Sequence, residues 1–163
     1  MELTMNPRLD PASLSASLYK KYLAFSMATA DSAIEQSLQD LVHIRASQIN
    51  GCAFCLDMHV KEAVIHGERP LRLHHVAIWR ESPLFTARER TVLGWTEALT
   101  KLGEHGVTDE IYADTLEELT EQEISDLTLV VMGINGWNRL SIAFRAVPGS
   151  QDAAYGLTKA ALS

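Results

Sequence analysis

A chain of 163 residues and 18.0 kDa suits one domain, residues 1–163, that buries about two thirds of its unfolded surface without a disulfide framework. With 47% hydrophobic and 21% charged residues it lies outside the disordered and low-complexity classes. A formal net charge of −7 repels phosphate backbones and anionic lipid, so neither nucleic acid nor membrane is an expected partner.

Residues 1–20 lack the basic start, apolar run and small-residue cleavage site of a secretory signal, which makes the cytoplasm the expected compartment. Apolar residues then recur at spacings of three and four, the pattern of an all-α chain. Leu14, Leu18, Tyr22 and Phe25 form a first stripe. A second start near Asp31 leads through Ile34, Leu38, Leu41, Ile44 and Ile49 to a stop at Asn50-Gly51. The next helix is expected over residues 52–66, closed by Gly67, and a short one over 70–79, halted by Ser82-Pro83.

Thr86 with Glu89 makes a capping-box pattern ahead of a helix ending near Gly103. Thr108, followed by Asp109 and Glu110, starts another. Thr120 with Glu123 is a second capping box, ahead of a wide apolar stripe from Ile124 to Trp137 that predicts a helix buried on most sides. That stripe is interrupted by polar residues and is too short for the roughly 20 residues of a membrane span. The tail, residues 151–163, is expected to be weakly helical, packed on another subunit or frayed.

Chemistry is concentrated in eight residues. Cys52 and Cys55 are too close to staple the chain, and on a helix Cys55 and His59 differ by roughly 40° of azimuth and 6 Å of rise, so they are neighbours. Side chains lean towards the helix N-terminus, which brings the imidazole back towards Cys55. Both thiols sit near a helix start, where unpaired N–H groups and the dipole favour a thiolate. A thiolate that attacks a peroxide becomes a sulfenic acid, and a second thiol two residues away condenses with it to a disulfide. Adjacency to His59 favours Cys55 as attacker with Cys52 resolving; proximity to the helix start favours the reverse. Inert buried thiols and a zinc site completed by His43, His66 or His74-His75 are the competing readings, and a thioredoxin domain is disfavoured by the helical flanks.

Residues 41–59, which include Asn50-Gly51-Cys52-Ala53-Phe54-Cys55 and His59, together with residues 79–85, 89–100 and 135–140, resemble the AhpD-like alkylhydroperoxidases of the carboxymuconolactone decarboxylase superfamily. The resemblance covers roughly residues 15–148. It implies an all-helical AhpD-like fold, assembly into homotrimers or hexamers, and peroxidase or disulfide reductase activity through the Cys-x-x-Cys pair. Neither haem nor flavin is implied, nor any other cofactor or metal. The expected partners are a small peroxide substrate and an external dithiol reductant. The family's relay glutamate, twelve residues before the first cysteine, corresponds here to Asp40, one methylene shorter, so the resemblance assigns the proton relay to Asp40 and His59. Trp79, Trp95 and Trp137 read first as core or interface, and Arg139 as a buried or interfacial ion-pair member.

Overall fold

The computed structural model describes residues 5–162; residues 1–4 and Ser163, the last residue of the expected tail, lie outside the described residues. Every regular element among them is helical: α1 (Pro11–Leu14), α2 (Ala16–Ala28), α3 (Gln36–Asn50), α4 (Ala53–Ile65), α5 (Pro70–His75), α6 (Ala87–Thr100), α7 (Asp109–Leu116), α8 (Glu121–Phe144) and α9 (Asp152–Tyr155), with short 3₁₀ turns between and after them.

The two capping boxes form as expected. In each, the threonine hydroxyl accepts the N3 amide and the N3 glutamate returns to the cap amide, which is worth about 1 kcal/mol apiece. Gly51 ends α3 at φ +67°, a conformation that L side chains resist, and this sharp reversal sets α4 back along α3. The α3–α4 hairpin is the heart of the molecule. Helix α3 packs on α4, α6 and α8, and contributes Leu38, Leu41, Val42, Ile44 and Ala46 to the core beside Val92 and Leu93 of α6 and Leu127, Val130, Val131 and Ile134 of α8.

Three expectations change. Leu14 and Leu18 of the first stripe are each 71% exposed, because only the Tyr22 and Phe25 side of α2 meets α8. There the Tyr22 hydroxyl donates to the Gly133 carbonyl at 2.7 Å and lies over Gly136, where a Cβ would sit 1.8 Å from that oxygen. The helix expected over 70–79 stops at His75 and continues as a 3₁₀ turn, Val76–Glu81, broken at Ile78; Arg90 from α6 collects the freed carbonyls of Trp79, Arg80 and Ser82. The tail neither frays nor waits for another subunit. It packs on α4, with Leu157 and Ala160 buried, and is tied down by Lys61, whose Nζ lies 2.7 Å from both Asp57 and Asp152.

Trp79 and Trp95 are core residues, as expected. Arg139 is not buried: it is exposed and donates to the backbone and side-chain oxygens of Asn135 on its own helix. No helix among the described residues is long and apolar enough to cross a membrane.

Candidate active site

Gly51 delivers Cys52 into extended backbone as the N-cap of α4, where its sulfur occupies the place of the usual serine or aspartate oxygen and accepts the Cys55 amide at 3.4 Å. Cys55 follows in the first turn, its Sγ 3.6 Å from Ser141 Oγ of α8. Both cysteines are free and nearly inaccessible, at 2% and 1% exposure.

The two sulfurs divide one negative charge unequally. The Cys55 thiol donates to Cys52, and this bond, the Cys55 amide, the Asn138 side chain and the field of His59 together outweigh burial and hold the Cys52 thiol down to about 7. Cys55 is pushed well above the ordinary thiol range, because its proton is held by the Cys52 sulfur, burial disfavours a thiolate, and the two charges repel. When the pair loses a proton, the charge is therefore favoured on Cys52 and the remaining proton on Cys55.

The imidazole of His59 stands beyond Cys55 on the same helix. Its Nδ1 lies 2.6 Å from Glu62 Oε2, which leaves Nε2 uncommitted. The ring packs on that of His43 from α3, with centroids 4.5 Å apart. His43 is held well below its ordinary value by burial first and by His59 second, so it is neutral near neutral pH.

Asp40 is not the partner of His59. Its two oxygens receive Gln36 Nε2 at 3.0 Å and His66 Nδ1 at 2.8 Å. The reason is hairpin register: α3 and α4 diverge symmetrically from Gly51, so residues eight before and eight after it, His43 and His59, face each other. Asp40 lies a turn further from the bend and meets the end of α4. The carboxylate on His59 is Glu62, and its signal was local, a glutamate three residues past a histidine on one helix face.

A cavity of about 920 Å³ opens beside this cluster. Cys55, His43, His59, Glu62 and His66 line it together with Tyr19, Trp137, Leu140 and Phe144, and Cys52 is not part of the lining. Trp137 is thus a cavity wall, its indole N–H donated to Ser26 Oγ at 2.7 Å. Pro7, Leu9 and Asp10 close one side, held by the Arg8 amide on the Phe144 carbonyl at 2.9 Å. Among the described residues, no lysine or arginine lines the cavity. No three histidine, cysteine or acidic side chains among the described residues converge in an arrangement able to hold a metal ion, and His75, proposed as a ligand, is paired with Ser82 Oγ at 2.9 Å.

Comparison with known proteins places this arrangement. Residues 16–98 match the model of the carboxymuconolactone decarboxylase family. The uncharacterized protein YdfG of Bacillus subtilis is 38% identical over 115 residues, 71% of this chain and 78% of that protein. The crystal structure of ATU0492 from Agrobacterium tumefaciens, a protein of unknown function with a suggested AhpD antioxidant-defence identity, superposes with a TM-score of 0.84 at 36% identity, covering 88% of this chain and 98% of that one. An uncharacterized peroxidase-related protein with an alkylhydroperoxidase AhpD core, from Ralstonia eutropha, shares the fold at a TM-score of 0.76 and 17% identity, over 86% of this chain and 75% of that one.

Proposed function

The chain belongs to the carboxymuconolactone decarboxylase family as an AhpD-like member, and from that premise we propose that it is a dithiol peroxidase that reduces organic hydroperoxides. The observation that carries the reading is the division of labour between the sulfurs. Cys52 caps the helix and accepts the Cys55 amide, while Cys55 is the member of the pair that lines the cavity, together with His59.

The steps balance. Cys55 passes its proton to the Cys52 thiolate and attacks the terminal peroxide oxygen; the O–O bond breaks, Cys55 becomes a sulfenic acid, and the alkoxide takes a proton from His59. That proton is the one the dithiol lost on ionising. The Cys52 thiol then attacks the Cys55 sulfur, the S–O bond breaks, and water leaves with the Cys52 proton. One hydroperoxide and two thiols give one alcohol, one water and one disulfide, and an external dithiol restores the pair.

In the test, reduced protein is mixed anaerobically with cumene hydroperoxide, and free thiols and intact mass are followed. The expected result is two thiols lost per hydroperoxide and a mass fall of two hydrogens, with Cys55→Ser inert and Cys52→Ser stopping at a sulfenic acid. Thiols that survive excess hydroperoxide in the wild type overturn the reading.

The same reading includes a homo-oligomer in a reducing cytoplasm. The exposed apolar side chains of α2 and α8, Leu18 at 71%, Met27 at 66% and Met132 at 57%, support self-association. Sedimentation equilibrium decides it: a species of 18.0 kDa at micromolar concentration counts against assembly.

A further inference from the structure

Asn138, on α8, is wholly inaccessible and lies far in sequence from the dithiol. Three side-chain amides fix its orientation. Asn135 Nδ2 donates to the Val131 carbonyl at 2.9 Å, and a carbonyl only accepts, so the Asn135 oxygen must face the other way. Asn135 gives its second N–H to Thr100 Oγ1 at 3.0 Å, and its oxygen also accepts from Arg139 at 2.9 Å. Asn50 therefore presents nitrogen, donating to Asn135 Oδ1 at 3.0 Å and to Asn138 Oδ1 at 2.9 Å, which commits both of its hydrogens.

The Asn138 oxygen is thereby spent on Asn50, and its amide nitrogen must donate. One N–H goes to Ser47 Oγ at 3.1 Å. One remains, at a site that water does not reach, where an unpaired N–H costs stability. The Cys52 amide donates to the Ser47 carbonyl at 3.0 Å, which sets Asn138 beside the dithiol, and the Asn138 side chain lowers both thiols. Ser141, one turn on along α8, adds its hydroxyl at 3.6 Å from Cys55. Helix α8 thus brings two polar side chains, Asn138 and Ser141, to the dithiol.

We propose that Asn138 is a catalytic residue of the dithiol: its single uncommitted N–H donates to the reacting sulfurs and remains within reach of the negative charge as that charge passes from Cys52 to Cys55. This role rests on the dithiol peroxidase reading, but the donor itself can be tested without peroxide. A donor shared by two sulfurs does what neither the helix cap nor His59 does alone. The cap N–H is directed at Cys52, and His59 neighbours Cys55, whereas Asn138 stabilises the anion on either sulfur and so lowers the barrier to exchanging the proton between them.

The test reads the wild-type chain first. In reduced, ¹⁵N-labelled protein, one of the two Asn138 side-chain amide protons is expected to shift with pH at the same midpoint as iodoacetamide alkylation of the thiols, and to move again when diamide closes the disulfide. A proton insensitive to both pH and oxidation overturns the proposal. Variants form the second arm. Asn138→Ser is expected to raise the alkylation midpoint by on the order of one pH unit and to slow cumene hydroperoxide consumption. Ser47→Ala, which removes the other partner of the same amide, is expected to leave the midpoint where it is. Equal shifts in both variants make the residue structural and overturn the proposal, and if Asn138→Ser does not fold, the wild-type amide decides. A midpoint that moves as expected in a protein that consumes no hydroperoxide keeps the donor and removes the peroxidase reading.

Discussion

His59 Nδ1 lies 2.6 Å from Glu62 Oε2, one turn further along α4, so the carboxylate that orients the imidazole beside Cys55 comes from the same helix. A carboxylate there fixes the ring's orientation and its Nδ1–H tautomer, which leaves Nε2 for the proton exchange with the alkoxide. Glu62→Gln is accordingly expected to lower hydroperoxide turnover by on the order of tenfold to a hundredfold. Asp40→Asn, which disturbs only the His66 and Gln36 contacts, is expected to have a much smaller effect. Steady-state rates of the two variants check this, and the reverse order returns the relay to Asp40.

Reactivity should follow the Cys52 thiolate. With that thiol held at about 7, the pair is neutral at pH 5, and alkylation by iodoacetamide is expected to rise through pH 7 and level off above it. Removing the donor moves the midpoint in a known direction. Cys55→Ala deprives Cys52 of its hydrogen bond, so its midpoint climbs; Cys52→Ala frees Cys55 from a holder of its proton and a repelling charge, so the midpoint of Cys55 falls. A pH–rate series on each variant reads both shifts.

Cavity size should govern substrate choice. A volume of about 920 Å³ far exceeds what hydrogen peroxide needs, and a lining with no lysine or arginine among the described residues offers a carboxylate no permanently charged partner. Leu140→Trp, which adds bulk to the lining, is expected to raise KM for cumene hydroperoxide severalfold and to leave hydrogen peroxide consumption nearly unchanged. Equal effects on both substrates would mean that the cavity plays no part in selection.

The tail should depend on one buried cation. Lys61 is raised above its ordinary value first by Asp152 and then by Asp57. A lysine raised in the folded state adds stability that is fully present below its unfolded value and is lost as pH rises through the folded one. Its side chain is 7% exposed, so Asp152→Asn removes a charged partner from a site with little solvent and is expected to cost about 1–3 kcal/mol. Urea unfolding measures the loss, and amide exchange over residues 151–160 should quicken before that of α3.

What could be read from residue order was local. The capping boxes at Thr86 and Thr120 and the stop at Gly51 each act within four residues, and they set helix ends correctly. That Cys55 and His59 share one face of α4 followed from helix spacing alone. The partner of Asp40 did not, because it depends on hairpin register; counting outward from Gly51 would have placed His43 opposite His59 and sent Asp40 past it. Asn138 carries no local signal, since its role comes from a helix crossing that brings residues more than eighty positions apart into contact. The exposed first stripe shows the limit of periodicity: Leu18 and Tyr22 stand one turn apart in the same stripe, and only packing decides which one α8 covers.

Part of the cavity wall comes from two stretches on either side of the residues that carry the sulfurs. Pro7, Leu9 and Asp10 precede the family-matched segment 16–98, and Trp137, Leu140, Phe144, Val147 and Tyr155 follow it, whereas Cys52, Cys55 and His59 lie inside. The reagent and a part of its container are therefore written in separate stretches of the chain. Substitutions in the flanking stretches can reshape what fits against Cys55 while the hairpin that ionises it stays untouched, so one redox couple can be fitted to differently shaped molecules without being rebuilt.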